Sequence, residues 1–212
     1  MPGKNLRVLA GRPLLAYTAD AIREAGLAAS PCLLTTDDDG IAEVGRGLGW
    51  LAPFRRPAHL AGDDATTADA VIHALDWFAA EDGADPKAVM VLQPTSPLRG
   101  GAVLRCGLDV LAARPEANSV IAVSPLHVSA SHTFCIDECD MLRPVGADDR
   151  RVVVPNGALY LTRTAALRSR RSLYAPPIAP IMLDAERAID IDTESDLRVA
   201  EVLLAAAGAL PQ

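Results

Sequence analysis

Two carboxylates spaced two residues apart carry the first chemical signal. In Ile189-Asp190-Ile191-Asp192-Thr193, a period of two puts both aspartates on one face and both isoleucines on the other. Carboxylates about 6 to 7 Å apart along an extended chain can share a hydrated Mg²⁺ with substrate phosphates. The same residues also read as a helix start, with Asp192 or Thr193 as the cap and Asp196 completing a capping box. Both readings stand on sequence alone. The second signal is Val89 to Arg99, VMVLQPTSPLR. The apolar run Ala88 to Leu92 ends on Gln93 and breaks into a loop stiffened by Pro94 and Pro97. Ligands of open α/β sheets sit outside the carboxyl ends of strands, so Gln93 and its loop are the expected place for chemistry, beside the plainer reading that the two prolines only start the next helix. Near the N-terminus, Met1-Pro-Gly-Lys-Asn5 reads as the end of a phosphate-binding loop. Arg55-Arg56 opens a polar connection that runs to Thr67, and long loops in compact domains tend to be functional.

The elements that must position these residues alternate. From Pro13, the residues Leu14, Tyr17, Thr18, Ala21, Ile22 and Ala25 fall on one helical face, with Gly26 suited to the C-terminal cap. Pro31 to Thr35 reads as a strand, and Asp37-Asp38-Asp39 opens a helix around Ile41 to Leu48, where carboxylates favour the N-terminus. Ala68 to Ala80 is a helix capped by Thr66 or Thr67, with Val71, Leu75 and Phe78 inward. His73 and Trp77, four apart on it, read as a packed pair. The run before Gln93 is a buried parallel strand, Gly101 to Ala113 a helix, and Ser119 to Ser124 and Gly157 to Leu161 further strands. Glu194 to Ala207 is the last helix. This β/α alternation predicts one α/β domain with a doubly wound, mostly parallel sheet and right-handed crossovers. Leu126 to Arg151 breaks the rhythm. Its His127, His132, Cys135 and Cys139 match no usual zinc spacing, and a protruding hairpin or dimer arm is the better reading.

At 212 residues, half of them apolar, the chain can bury a core without staples. A net charge of −7 without clustered Lys and Arg excludes a broad nucleic-acid footprint, so an anionic ligand needs locally placed cations. Four cysteines without framework spacing, and no apolar run of membrane length, point to a reducing cytoplasm and no membrane partner. No GxGxxG follows a strand and no GxSxG is present, which disfavours a nicotinamide enzyme and a serine hydrolase.

Pro2-Gly-Lys-Asn5, Gly11-Arg-Pro-Leu-Leu-Ala-Tyr-Thr18, Thr35-Thr-Asp37, Arg56-Pro-Ala-His-Leu-Ala61, Leu92-Gln-Pro-Thr-Ser-Pro-Leu-Arg99, Asn156-Gly-Ala-Leu-Tyr160 and Ile189-Asp-Ile-Asp-Thr193 together resemble the acylneuraminate cytidylyltransferases, the CMP-sialic acid synthetases. The resemblance runs in order along nearly the whole chain. It implies a nucleotide-diphospho-sugar transferase-like fold, a homodimer, and Mg²⁺-dependent transfer of CMP from CTP to the anomeric hydroxyl of a nine-carbon 2-keto sugar acid. Carried over residue by residue, it implies that Lys4 and Asn5 contact CTP, with Lys4 near the phosphates, and that Arg56, Ala65 and Thr67 line the cytosine pocket. Gln93 would hold the sugar acid, Tyr160 would border the same cleft, and Asp190 and Asp192 would hold the metal.

Two departures qualify the resemblance. Family members begin with a strand and a Gly- and Ser-containing loop ahead of the PGKN piece, and here Met1 falls inside that loop. The expectation is a first strand missing from the sheet and a natural start upstream of Met1. The family also carries an Arg-Arg-Gln stretch well ahead of its Asn-Gly turn, in an arm that reaches the partner's cleft. Here Arg150-Arg151 lies only a few residues before Asn156, which implies a shorter arm within about residues 126–155. The enzyme therefore stands beside two alternatives, a truncated or degenerate nucleotide-binding homologue without turnover and a uridylyltransferase of the same fold.

Overall fold

The computed structural model describes residues 4–62, 64–125, 134–136, 138, 141–144 and 152–209. A 3₁₀ turn at Lys4–Leu6 leads into a two-residue ladder, β1 (Val8–Leu9) against β2 (Arg12–Pro13). Helix α1 (Leu14–Glu24) follows with Pro13 at its N-cap. Its end is a Schellman closure. Gly26, at φ +74°, donates to Arg23 O at 2.9 Å while Leu27 N donates to Ile22 O at 3.0 Å, the left-handed position that glycine occupies without penalty. Asp38 caps α2 (Asp39–Gly47) by accepting from Ile41 N at 3.0 Å, and Thr66 caps α3 (Thr67–Asp82) by accepting from Asp69 N at 3.1 Å.

The main sheet is built from β3 (Ala88–Val91), β4 (Ser119–Pro125), β7 (Val153–Arg163) and β8 (Ile178–Met182), in the order β3-β7-β4-β8. Helix α4 (Gly100–Ala113) joins β3 to β4, α5 (Thr164–Arg170) follows β7, and α6 (Glu194–Ala209) ends the described chain. The sheet is mixed, a correction to the mostly parallel expectation. β7 runs antiparallel to both β3 and β4, and only β4 and β8 pair in parallel. The reason lies between β4 and β7. Parallel neighbours need a crossover element, whereas the described residues there form a hairpin, β5 (Phe134–Ile136) on β6 (Leu142–Pro144), and the chain returns antiparallel beside the strand it left.

Helices cover both faces of the sheet. On one, Val120, Ala122, Leu159, Leu161, Ala179 and Ile181 pack with Leu104 and Leu111 of α4 and Ala21 of α1. On the other, Ile121, Val123 and Tyr160 meet Val71, Ile72 and Leu75 of α3 and Leu167 of α5. A third cluster joins the two ends of the chain, with Leu9, Leu14 and Tyr17 against Ile191, Leu197 and Ala200. The stretch Pro31–Thr35 does not form the expected strand of the main sheet. Its backbone bonds go to Leu51, through Leu34 N to Leu51 O at 2.7 Å and Leu51 N to Cys32 O at 2.8 Å. Among the described residues no strand pairs with the outer edge of β3, and a cleft of about 730 Å³ is lined by β3, Pro31–Thr36 and the inner sides of α1 and α3.

Candidate active site

The site grows from a fault in the ladder between β4 and β7. Ile121 pairs with Tyr160 and Val123 with Pro155, so residues 156–159 of β7 stand opposite Ala122 alone. Such bulges bend a strand and re-aim its side chains. Asn156 braces this one from within, with Oδ1 accepting from Ala158 N at 3.2 Å and Nδ2 donating to Ser124 Oγ at 2.9 Å. Gly157 sits at the crest with φ +76°. A Cβ there would lie 2.5 Å from Gln93 Oε1, 3.0 Å from Ser96 Oγ and 3.5 Å from Asp190 Oδ2. Three chemically active side chains therefore converge on one bare stretch of backbone.

Gln93 reaches this point from the loop after β3. The loop is tied down by Ser96, fully buried, whose Oγ donates to Asn156 O at 3.2 Å, and by the buried guanidinium of Arg99, which donates to the carbonyls of Gln93, Ser96 and Ala158. Burial brings the Arg99 guanidinium down to about 9, with the Asp190 carboxylate opposing that shift. Tyr160 stands beneath the crest, 8% exposed. Burial, and then its hydrogen bond with Tyr174, push its phenol well above the usual range, while a bond from the Gly157 backbone acts the other way.

Asp190 and Asp192 come from an extended segment that is not a strand of the sheet. Its one ladder-like bond is Ile191 N to Thr95 O at 2.8 Å, enough to fix the alternation. Ile189 and Ile191 pack inward, and the aspartates face the other way. The helix-start reading also holds, and it uses other atoms. Thr193 N donates to Asp196 Oδ2 at 2.7 Å and Asp196 N to Thr193 Oγ1 at 3.2 Å, the reciprocal capping box of α6. The Thr193 hydrogen bonds hold the Asp196 carboxyl below its usual range. The cap leaves both upstream carboxylates out of the box. Asp192 Oδ1 accepts from Lys4 Nζ at 2.8 Å, and Asp190 Oδ1 is buried with no hydrogen-bond partner. Thr193→Ala should therefore cost about 1 kcal/mol of stability in urea unfolding with turnover within about threefold, a change far smaller than loss of a transition-state contact brings. Lost turnover at unchanged stability would reverse that division of labour.

The cleft beside β3 gathers most of the remaining candidates. Lys4, Asn5, Arg56, Ala65, Thr67 and Gln93 all line it. Arg56 is folded onto Thr35, with Nε donating to Oγ1 at 3.2 Å and Nη2 to the carbonyl. Thr67 begins α3, whose first-turn amides favour negative charge. Tyr160, Asp190 and Asp192 are not in the lining. Asp190 joins it across Gly157 and Gln93, and Asp192 across Lys4. His73 and Trp77 pack around Phe54, ring centroids 4.6 and 6.1 Å away, as a structural pair.

Residues 1–3, His127, His132, Cys139, Arg150 and Arg151 lie outside the described residues, as does the side chain of Cys135. Among the described residues no three His, Cys, Asp or Glu side chains converge as a metal cage. Three contributors carried no sequence-level role: Ser96, Arg99 and Tyr174. A basic residue closing a proline-stiffened loop was the available signal for Arg99.

Comparison with known proteins agrees in direction. Residues 1–131 match the model of a family described as cytidylyltransferase. The chain is 31% identical over 216 residues to the CMP-N,N'-diacetyllegionaminic acid synthase of Legionella pneumophila, covering 96% of this chain and 90% of that protein. It is 26% identical to an N-acylneuraminate cytidylyltransferase of Streptococcus agalactiae, with 92% of this chain matched to 48% of that protein, about half its length. Among solved structures, a CMP:2-keto-3-deoxy-manno-octonic acid synthetase complexed with CTP shares the fold at a TM-score of 0.68 and 16% identity, covering 98% of this chain and 93% of that one.

Proposed function

Because the chain belongs to the cytidylyltransferase family, we propose that it transfers CMP from CTP to the anomeric hydroxyl of a nine-carbon 2-keto sugar acid and releases pyrophosphate. The observation that carries this reading is the convergence of Gln93 and Asp190 on Gly157 at one end of a cleft whose lining also holds Lys4 and Arg56. The similarity to a CMP-N,N'-diacetyllegionaminic acid synthase, an N-acylneuraminate cytidylyltransferase and a pseudaminic acid cytidylyltransferase supports legionaminic, N-acylneuraminic and pseudaminic acids as the acceptors to try.

In this reading the sugar hydroxyl attacks the α-phosphorus, a new P–O bond forms, and the bond to the β-phosphate oxygen breaks. Such displacement is mostly positioning and charge neutralisation, so no protein nucleophile is required. Arg56, Ala65 and Thr67 hold the cytosine end, Lys4 and Asn5 contact CTP with Lys4 near the phosphates, and Gln93 holds the sugar acid, with Tyr160 fixing the Gly157 turn beneath it. Asp190 and Asp192 fit a Mg²⁺ ion, since a partnerless buried carboxylate oxygen beside an exposed second carboxylate is the hard-oxygen donor pair that Mg²⁺ takes together with substrate phosphates. When bound, the ion would neutralise phosphate charge and lower the pKa of the attacking hydroxyl. Lys4, paired to Asp192 in this structure, is placed to move between that carboxylate and the phosphates.

We assign the β5-β6 segment, within about residues 126–155, to contact with a second copy of the chain, and the protein to the cytoplasm. Among the described residues no helix is long and apolar enough to cross a membrane. The experiment is a donor and acceptor matrix, CTP and UTP each against the three sugar acids with Mg²⁺. Product with CTP and one acid is the expected outcome. UTP as the better donor would move the protein to the uridylyltransferases, and CTP binding without product would make it a binding homologue.

A further inference from the structure

Arg99 is 1% exposed, and no step above uses it. Its Nε donates to Ser96 O at 2.8 Å, its Nη1 to Ala158 O at 2.9 Å, and its Nη2 to Gln93 O. One planar fork thus joins both ends of the loop that carries Gln93 to the bulge that carries Gly157. Through Thr95, the same loop accepts the backbone bond from Ile191, between the two aspartates. Neutral donors could satisfy three carbonyls, so a charged group sealed from water needs a further reason. Among the described residues, the carboxylate whose field acts on it is Asp190, the side chain whose Oδ1 lacks a hydrogen-bond partner.

We propose that Arg99 is a positioning residue that sets the spacing between Gln93 and Asp190, fastening the loop of the first to the Gly157 bulge and, through Thr95 and Ile191, to the segment of the second. This rests on the reading that Gln93 holds the sugar acid. Lysine at this position keeps the charge and loses the fork, because an ammonium on a flexible stem cannot reach three diverging carbonyls in fixed geometry.

The test is Arg99→Lys, followed by steady-state kinetics in both substrates. The KM for the sugar acid should rise about 10-fold and kcat fall at least about 10-fold, since displacement of about 1 Å can cost 100-fold. The KM for CTP should stay within about twofold, because the cytosine end is held by residues of other elements. All parameters within twofold of wild type would overturn the proposal, as would an equal rise in both KM values, the sign of a loosened fold. If Arg99→Lys does not fold, Ser96→Ala removes only the Oγ bond to Asn156 from the same clamp. It should show the same split at about threefold size, as befits one neutral hydrogen bond, and no split would overturn the proposal.

Failure of the functional reading would show itself separately, as no turnover by the wild type with any sugar acid. Amide exchange then decides. Arg99→Lys, or Ser96→Ala in its place, should speed exchange at the amides of Gln93, Thr95, Ser96, Leu98 and Ile191, leaving α2 unchanged. Unaltered exchange at Ile191 would overturn the proposal.

Discussion

Under the proposed function, Asp190→Asn should lower kcat for CMP transfer by about 100-fold or more, the range seen when a charge-stabilising contact to a transition state is removed. The expectation comes from where the carboxylate sits. Oδ1 is buried without a partner, and the other oxygen faces Gly157 beside Gln93. The asparagine keeps the shape and loses the charge, so under the proposed function it would hold Mg²⁺ only weakly. Asp192→Asn provides the comparison. Its side chain is 66% exposed and pairs with Lys4, so that variant should lose activity in the same direction while its unfolding midpoint stays close to wild type, an exposed pair contributing about 1 kcal/mol or less. Pyrophosphate release measured beside urea unfolding separates the two contributions. Both variants within threefold of wild-type kcat would remove the aspartates from the mechanism.

Gly157→Ala is the second large effect, and it acts through sterics and backbone together. At φ +76° an L-residue costs about 1 to 2 kcal/mol, and the new Cβ would stand 2.5 Å from Gln93 Oε1 and 3.0 Å from Ser96 Oγ. Neither neighbour yields easily, since Ser96 is bonded to Asn156 and the Gln93 loop is tied by Arg99. The melting temperature should fall by roughly 2 to 8 °C, at 2 to 4 °C per kcal/mol for a chain of this size. The KM for the sugar acid should rise about 10-fold through displacement of Gln93, with the KM for CTP little changed. Gly47→Ala is the control. Its added Cβ meets nothing within 4 Å and its φ is not in the left-handed region, so alanine at this last position of α2 should leave stability close to wild type. Equal melting and equal kinetics in the two variants would show that the crest at Gly157 positions nothing.

The helices α1 to α4 and α6 were legible because their signals are local, while the short α5 was not read. Asp38 before α2, Thr66 before α3 and Gly26 after α1 act within one turn of themselves, and a linear reading sees such neighbours. Strand direction is not local. The apolar run of β3 looks the same whether its neighbour runs parallel or antiparallel, and the connection between β4 and β7 decided it. β8 was hidden by Pro180, which an edge strand tolerates, and by Pro176-Pro177 just before it, since buried Ala179 and Ile181 form too short a pattern to stand out among them. At the site, the alternation of Ile189 to Asp192 was readable, and so was the helix start, which the Thr193–Asp196 box forms. The hub was not readable, because arginine is mostly an exposed residue and only the fold shows that Arg99 is sealed among three carbonyls. Tyr160 was found as part of the region, yet it sits under the bulge as support for Gly157.

Sugar-acid-dependent release of pyrophosphate from CTP, measured on this chain with Mg²⁺, bears most directly on the central claim. The expected result is release with one of the nine-carbon acids, equimolar CMP-sugar formed alongside, and none with UTP or without acid. Pyrophosphate release independent of any sugar acid, or none from a folded protein that binds CTP, would contradict it.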